Sequence, residues 1–155
     1  MASNIRTIAT SLLDILRDRA QDKPDKQAYI FLQNGETESA SLTYGELDRK
    51  ARAIAAHLQY LGATGERVLL LYPPGLEFID GFFGGLSAGA IAIPAYPPRP
   101  NQSLSRLEAI AASSEATLAF TTSSIFGYLT ERFAESPELR KIHLLATDKI
   151  VGSED

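Results

Sequence analysis

The stretch that decides the fold runs from Val68 to Ala95 and reads VLLLYPPGLEFIDGFFGGLSAGAIAIPA. It opens with Val68 to Tyr72, a continuous apolar run of the kind found where a strand is covered on both faces. Leu76 to Ala88 reads as a helix, and Ala90 to Ala95 as a second buried strand. The pattern repeats downstream: Leu104 to Ser113 reads as a helix, Thr117 to Thr121 as a strand, Ser123 to Phe133 as a helix and Ile142 to Thr147 as a strand. Strands alternating with helices over short connections imply a parallel sheet with right-handed crossovers. Gly81, Gly84, Gly85 and Gly89 let the first crossover helix lie close to the sheet. The fold class is therefore α/β, a mostly parallel sheet flanked by helices.

Upstream of this stretch the pattern is different. Leu12, Leu13, Ile15, Leu16 and Ala20 are spaced for one helical face, with Ser11 placed as N-cap, Asp14 three residues on, and Pro24 ending the segment. Gln27 to Leu32 and Glu38 to Thr43 flank Asn34-Gly35, the residue pair that a type I′ hairpin turn favours because both central positions need positive φ. Thr43 and Glu46 then form a capping box. The helix behind it buries Leu47, Ala51, Ile54, Ala55, Leu58 and Leu61, with Gly62 as its C′ stop. An N-terminal helix and a β-hairpin thus precede the parallel sheet.

Composition bounds the function. At 155 residues the chain fits one domain, and 45% hydrophobic with 22% charged residues is a globular balance. The net charge is −4 and the fifteen Lys and Arg are dispersed, which argues against a nucleic-acid partner. With no Cys and two His there is no disulfide framework, no thiol nucleophile and no metal site of the usual kind; zero Cys suits a reducing compartment, here the cytoplasm. Met1 to Thr10 carries no basic region leading into an apolar run, so no secretion signal is read there. Gly81 to Pro98 is uncharged for about 18 residues, a length that raises the question of a membrane span. Pro94, Pro97 and Pro98 break it, and a buried helix running into a buried strand explains it instead.

Several motifs invite a chemical reading. Gly85-Leu86-Ser87-Ala88-Gly89 matches the G-x-S-x-G nucleophile elbow, and Glu115 or Glu131 and then His143 follow Ser87 in triad order. That mechanism needs a strand before the serine and a helix after it, whereas here the helix precedes and the strand follows. Thr121-Thr122-Ser123-Ser124 ends a strand and starts a helix, where backbone N–H groups could meet an anion, yet Ser123 is explained as an N-cap and no Lys lies between Lys50 and Lys141. His57 and His143 have no ligand partners at metal spacing and read as structural, and Glu36 and Glu38 as a solvated hairpin edge. Ile93-Pro94-Ala95-Tyr96-Pro97-Pro98-Arg99-Pro100 is a strand leaving into a stiff, polyproline-like connector. The connector lies on the side where open α/β sheets build ligand crevices.

Taken in order, these segments resemble the start of the adenylate-forming (AMP-binding) superfamily, and within it the fatty acyl-AMP ligases. The matching pieces are Leu42-Thr43-Tyr44-Gly45-Glu46-Leu47-Asp48, Val68 through Phe78 with its Tyr72-Pro73-Pro74-Gly75, Phe82-Phe83-Gly84 through Gly89 to Pro94, and Ala95-Tyr96-Pro97-Pro98-Arg99-Pro100 followed by Ser105-Arg106-Leu107. The resemblance implies an enzyme that activates a fatty acid with ATP and Mg²⁺ to an acyl-adenylate and passes the acyl group to an acyl carrier protein, coenzyme A being disfavoured. Such ligases feed polyketide and lipopeptide assembly. It also implies that the Lys-bearing phosphate loop, the adenine and ribose contacts and the C-terminal domain with its catalytic Lys lie after Asp155. Residues 1–155 are accordingly expected to be a partial N-terminal subdomain, inactive and free of cofactor by itself, with no catalytic, cofactor-binding or metal-binding residue assigned to any position. Its apolar strands, left partly uncovered, are expected to make it self-associate. The alternatives are a stand-alone α/β binding module and a truncated α/β-hydrolase using Ser87.

Overall fold

The computed structural model describes residues 8–152. Met1 to Thr7, most of the segment read as lacking a secretion signal, and Ser153 to Asp155 lie outside the described residues. Helix α1 (Leu12–Asp22) is capped by the Ser11 side chain, which accepts from the Asp14 N–H. The hairpin strands β1 (Gln27–Gln33) and β2 (Thr37–Thr43) pair antiparallel. Asn34 and Gly35 both have positive φ (56° and 73°), and the Glu36 N–H bonds the Gln33 carbonyl across them. An irregularity between Phe31 and Leu32 shifts the register of the outer half.

Helix α2 (Tyr44–Tyr60) carries the full capping box, with Thr43 Oγ1 accepting from the Glu46 N–H and Glu46 Oε2 from the Thr43 N–H. At its other end the Ala63 N–H reaches the Leu58 carbonyl and the Gly62 N–H (φ 69°) the Gln59 carbonyl, the paired bonds of a Schellman stop. This turn corrects one expectation: Leu61 is 45% exposed, because the chain reverses just after it and tucks Ala63 against Leu58 in its place.

The second sheet has four parallel strands, β3 (Arg67–Leu70), β4 (Ile91–Pro94), β5 (Leu118–Thr121) and β6 (His143–Ala146), in the order β4-β3-β5-β6. Helices α3 (Glu77–Ser87), α4 (Ser105–Ser114) and α5 (Ser123–Ala134) connect them, and a short helix α6 (Thr147–Val151) follows β6. Alternation along the strands builds two cores. Val68, Leu70, Leu118 and Phe120 face one way, onto Ile54, Ala55 and Leu58 of α2 and Phe78 and Phe82 of α3. Leu69, Leu71 and Ala119 face the other way, onto Leu107 and Ala111 of α4 and Leu129 and Phe133 of α5. The strands buried on both faces are the two central ones; β4 is an edge, and Ile91 is half exposed because β3 is its sole partner. Of the α1 face, Leu16 is buried, whereas Leu12 and Ile15 stay exposed because the helix meets α2 along a narrow contact. Helix α6 and a single 3-10 turn at Leu139–Lys141 were not legible from the pattern.

The α3 glycines are used differently from one another. A Cβ on Gly84 would sit 2.6 Å from Ile54, so this glycine sets the approach of α3 to α2 and not to the sheet. A Cβ on Gly81 would run into the Tyr72 ring at the end of β3.

Candidate functional site at the carboxyl end of the sheet

Because β4 and β5 lie on opposite sides of β3, the chain leaves β3 toward one face of the sheet and leaves β5 toward the other. Adjacent strands whose connections diverge open a crevice at their carboxyl ends, the usual place for a ligand in an open α/β sheet. Four groups meet here: Tyr72-Pro73-Pro74-Gly75 after β3, Thr121-Thr122-Ser123 after β5, Thr147-Asp148 after β6, and the 95–100 connector after β4.

The interior of this edge is knit by hydroxyls. Tyr72, buried, hydrogen-bonds Thr147 Oγ1 at 2.6 Å, and Thr147 Oγ1 in turn donates to the Thr121 carbonyl at 3.4 Å. Burial pushes the Tyr72 phenol well above its ordinary pKa, so it stays protonated and works as a structural donor. The Thr121 hydroxyl is fully buried with no hydrogen-bond partner.

The helix start after β5 is occupied from within. Thr122, not Ser123, takes the N-cap position, because Ser123 already has helical geometry as the first residue of α5. Ser123 gives both its N–H (2.8 Å, to Oδ1) and its hydroxyl to the Asp148 carboxylate. The anion suited to a helix N-terminus is thus supplied by α6 itself.

The connector is clamped rather than free. Tyr128 Oη donates to the Pro98 carbonyl at 2.7 Å; Arg132 donates to the carbonyls of Arg99 (3.0 Å) and Gln102 (2.7 Å) and to Tyr128 Oη (3.0 Å). The Arg99 N–H closes a local turn on Gln102 Oε1. Tyr96, in contrast, is 85% exposed. Tyr128 and Arg132 were not singled out from the sequence, although their four-residue spacing puts both on one face of α5.

Two cavities flank the framework. One, about 190 Å³, lies between β2, α2, α3 and α6, with Lys50, Asp80, Thr147 and Asp148 among its lining residues. The other, about 270 Å³, lies between α1, α2 and α3, and Ser87 lines it beside Arg17, Asp48 and Arg52. Ser87 is the last residue of α3, and β4 begins four residues later, so the strand-turn-helix that a nucleophile elbow requires is reversed. No hydrogen bond among the described residues joins Ser87 to His143, Glu115 or Glu131. His143 begins the edge strand β6, Glu115 is the left-handed C-cap of α4 paired with Arg67, and His57 is half-buried in α2. Glu36 and Glu38 are exposed at the hairpin tip. No group of three His, Cys, Asp or Glu able to hold a metal ion occurs among the described residues.

Comparison with known proteins places this frame. The family model described as AMP-binding enzyme matches residues 16–154. The chain is 48% identical over 145 residues to the medium-chain-fatty-acid–acyl-carrier-protein ligase JamA of Moorena producens, covering 91% of this chain and 24% of that protein. It is 33% identical over 146 residues to the long-chain-fatty-acid–AMP ligase FadD26 of Mycobacterium tuberculosis, covering 89% of this chain and 25% of that protein. A crystal structure of the fatty acyl-adenylate ligase from Legionella pneumophila superposes with a TM-score of 0.79 at 38% identity, over 92% of this chain and 24% of that one. The chain therefore spans about a quarter of the length of the relatives it matches. With nine-tenths of its residues aligned to these ligases in both sequence and fold, the chain belongs to the AMP-binding enzyme family, as the resemblance to fatty acyl-AMP ligases implied.

Proposed function

We propose that residues 1–155 form the opening part of the N-terminal domain of a ligase that activates a fatty acid and loads it onto an acyl carrier protein. In that reaction the fatty carboxylate attacks the α-phosphorus of ATP and pyrophosphate leaves, and the phosphopantetheine thiol of the carrier then takes the acyl group from the adenylate, releasing AMP and the thiol proton. The 48% identity to a carrier-protein ligase, sustained over 145 residues, is the observation that carries this reading. ATP and Mg²⁺ would be held by residues outside this quarter of the ligase, and these residues would contribute the packed frame beneath them. The absence of cysteine suits work in a reducing compartment such as the cytoplasm, and assembly of polyketides or lipopeptides is the fitting use for the product. The half-covered edges of β4 and β6 support self-association of this piece by itself.

A chimera tests the reading. Residues 1–155 replace the matching quarter of the Moorena ligase, and ATP–pyrophosphate exchange is followed with a medium-chain fatty acid. Exchange above the no-protein control, followed by acylation of the carrier, is the expected result. A folded chimera without exchange, or exchange by residues 1–155 alone, overturns it.

A further inference from the structure

The cavity between β2, α2, α3 and α6 contains a carboxyl group that no part of the proposed function uses. Asp80 lies in the first turn of α3, flanked by Phe78, Ile79, Phe82 and Phe83, and its side chain is only 8% exposed. Its Oδ1 has no hydrogen-bond partner, and its Oδ2 faces Lys50 Nζ at 4.0 Å, the outer limit of an ion pair. Lys50 is itself a third exposed, so its charge is shared with solvent. The surrounding charges pull in both directions, Lys50 favouring ionisation and two carboxylates opposing it. Glu46 stands on α2 and Glu77 on α3, each acting repulsively on Asp80. Asp148 of α6 also lines the cavity, and the Tyr72 phenol, two residues past β3, lies near enough to feel the Asp80 charge. From β2 the cavity receives Ala40, Ser41 and Leu42, none of which titrates in this range.

A carboxylate in such a place is poorly compensated, whereas a neutral carboxyl leaves a tolerable defect. We propose that Asp80, facing Lys50 across this cavity, is a proton-operated latch: neutral, it lets α6 close over α2 and α3, and ionised, it loosens that closure. The loosening reaches the carboxyl edge of the sheet, because α6 carries both Thr147, which Tyr72 holds, and Asp148, which holds the start of α5. Burial, the largest effect, pushes the Asp80 carboxyl up to about 7, with Lys50 pulling it back and Glu77 and Glu46 adding to the rise. The sign follows from proton binding. Between the ordinary value of 3.8 and about 7 the folded chain holds a proton that the unfolded chain has released, so the stabilisation present at low pH is lost as pH rises through that window.

Thermal midpoints of the wild type and Asp80→Asn from pH 5 to 8.5 test the latch. The wild type is expected to fall relative to the variant as pH rises, with the variant the more stable at pH 8; parallel curves overturn the proposal. Carboxyl ¹³C NMR of the wild type keeps the test independent of the variant's folding. A titration of Asp80 near neutrality supports the latch, and one near pH 4 overturns it. In Lys50→Met that titration should move to higher pH. The closure itself is read at the Ser123 amide, which Asp148 holds. Above pH 7 its hydrogen exchange should accelerate more in the wild type than in Asp80→Asn, and an unchanged ratio between the two proteins at every pH overturns the coupling to α6.

Discussion

Gly84→Ala isolates the contact that sets the spacing of α2 and α3. The added Cβ would lie 2.6 Å from both Cβ and Cγ2 of Ile54, a residue with no solvent exposure. Carbon atoms rest about 3.5–4.0 Å apart, so the two helices must separate by roughly an ångström. Rotamer change offers no escape, because Ile54 Cβ is fixed to the backbone. Overpacking of this kind costs about 1–3 kcal/mol, and a site without rotamer relief belongs in the upper half of that range. Alanine returns about 1 kcal/mol over glycine through helix propensity, leaving a net loss of about 1–2 kcal/mol. For a chain of this size that lowers the thermal midpoint by about 2–8 °C, and urea unfolding followed by circular dichroism gives the free energy directly. Gly127→Ala in α5 is the matched control. Nothing lies within 4 Å of its added Cβ, so the same substitution should stabilise there. Ile54→Ala removes the Cγ2 contact but keeps the Cβ, so it should shrink the Gly84→Ala penalty only in part, a coupling that a double-mutant cycle measures. If Gly84→Ala proved as stable as the wild type, the close approach of α3 to α2 would not be what this glycine serves.

Three further outcomes are expected. Gly35→Val forces a β-branched residue into φ 73° and should cost on the order of a kcal/mol or more in thermal or urea unfolding; unchanged stability would mean the turn has another geometry. Arg132→Ala removes the donors to the Arg99 and Gln102 carbonyls, so amide exchange at Arg99 and Gln102 should accelerate while the β3 and β5 amides keep their protection. Light scattering over a concentration series of the isolated chain should show association through the β4 and β6 edges, and a strict monomer at high concentration would show that the chain closes its own core.

Much of this architecture was legible because burial on two faces leaves a strong mark. Val68 to Leu71 and Leu118 to Phe120 have no polar residue on either face, and that pattern marks strands of a parallel sheet. Strand order is not encoded in the same way. Ile91 and Ile93 are as apolar as Leu69, yet they belong to an edge, because after β4 the chain turns back across β3 to place β5 on its other side. Helix α6 is too short to show a period, and Leu61 fits the α2 stripe until the Schellman turn removes it. The candidate site was harder still. Arg132 grips backbone carbonyls, which have no signature of their own, and Asp148 replaces an external anion at a site that the sequence shows only as Thr and Ser. Asp80 is a lone charge between Phe78 and Phe83 in the sequence, but the cavity it shares with Thr147 and Asp148 of α6 exists only in the fold.

The strand order also dictates how the sheet can be built as the polypeptide is synthesised. The earliest of the four strands, β3, is central; β4 joins one of its sides, β5 the other, and β6 extends the β5 side. Each new strand therefore docks on an edge already present, and none has to insert between two strands that have paired. Parallel pairings of distant segments are slow to form, and incomplete sheets are prone to aggregate. Growth outward from a strand made early lets every pairing begin as soon as its crossover helix has left the ribosome, so one of the two edges exposed at each stage is the one awaiting the next strand of the same chain.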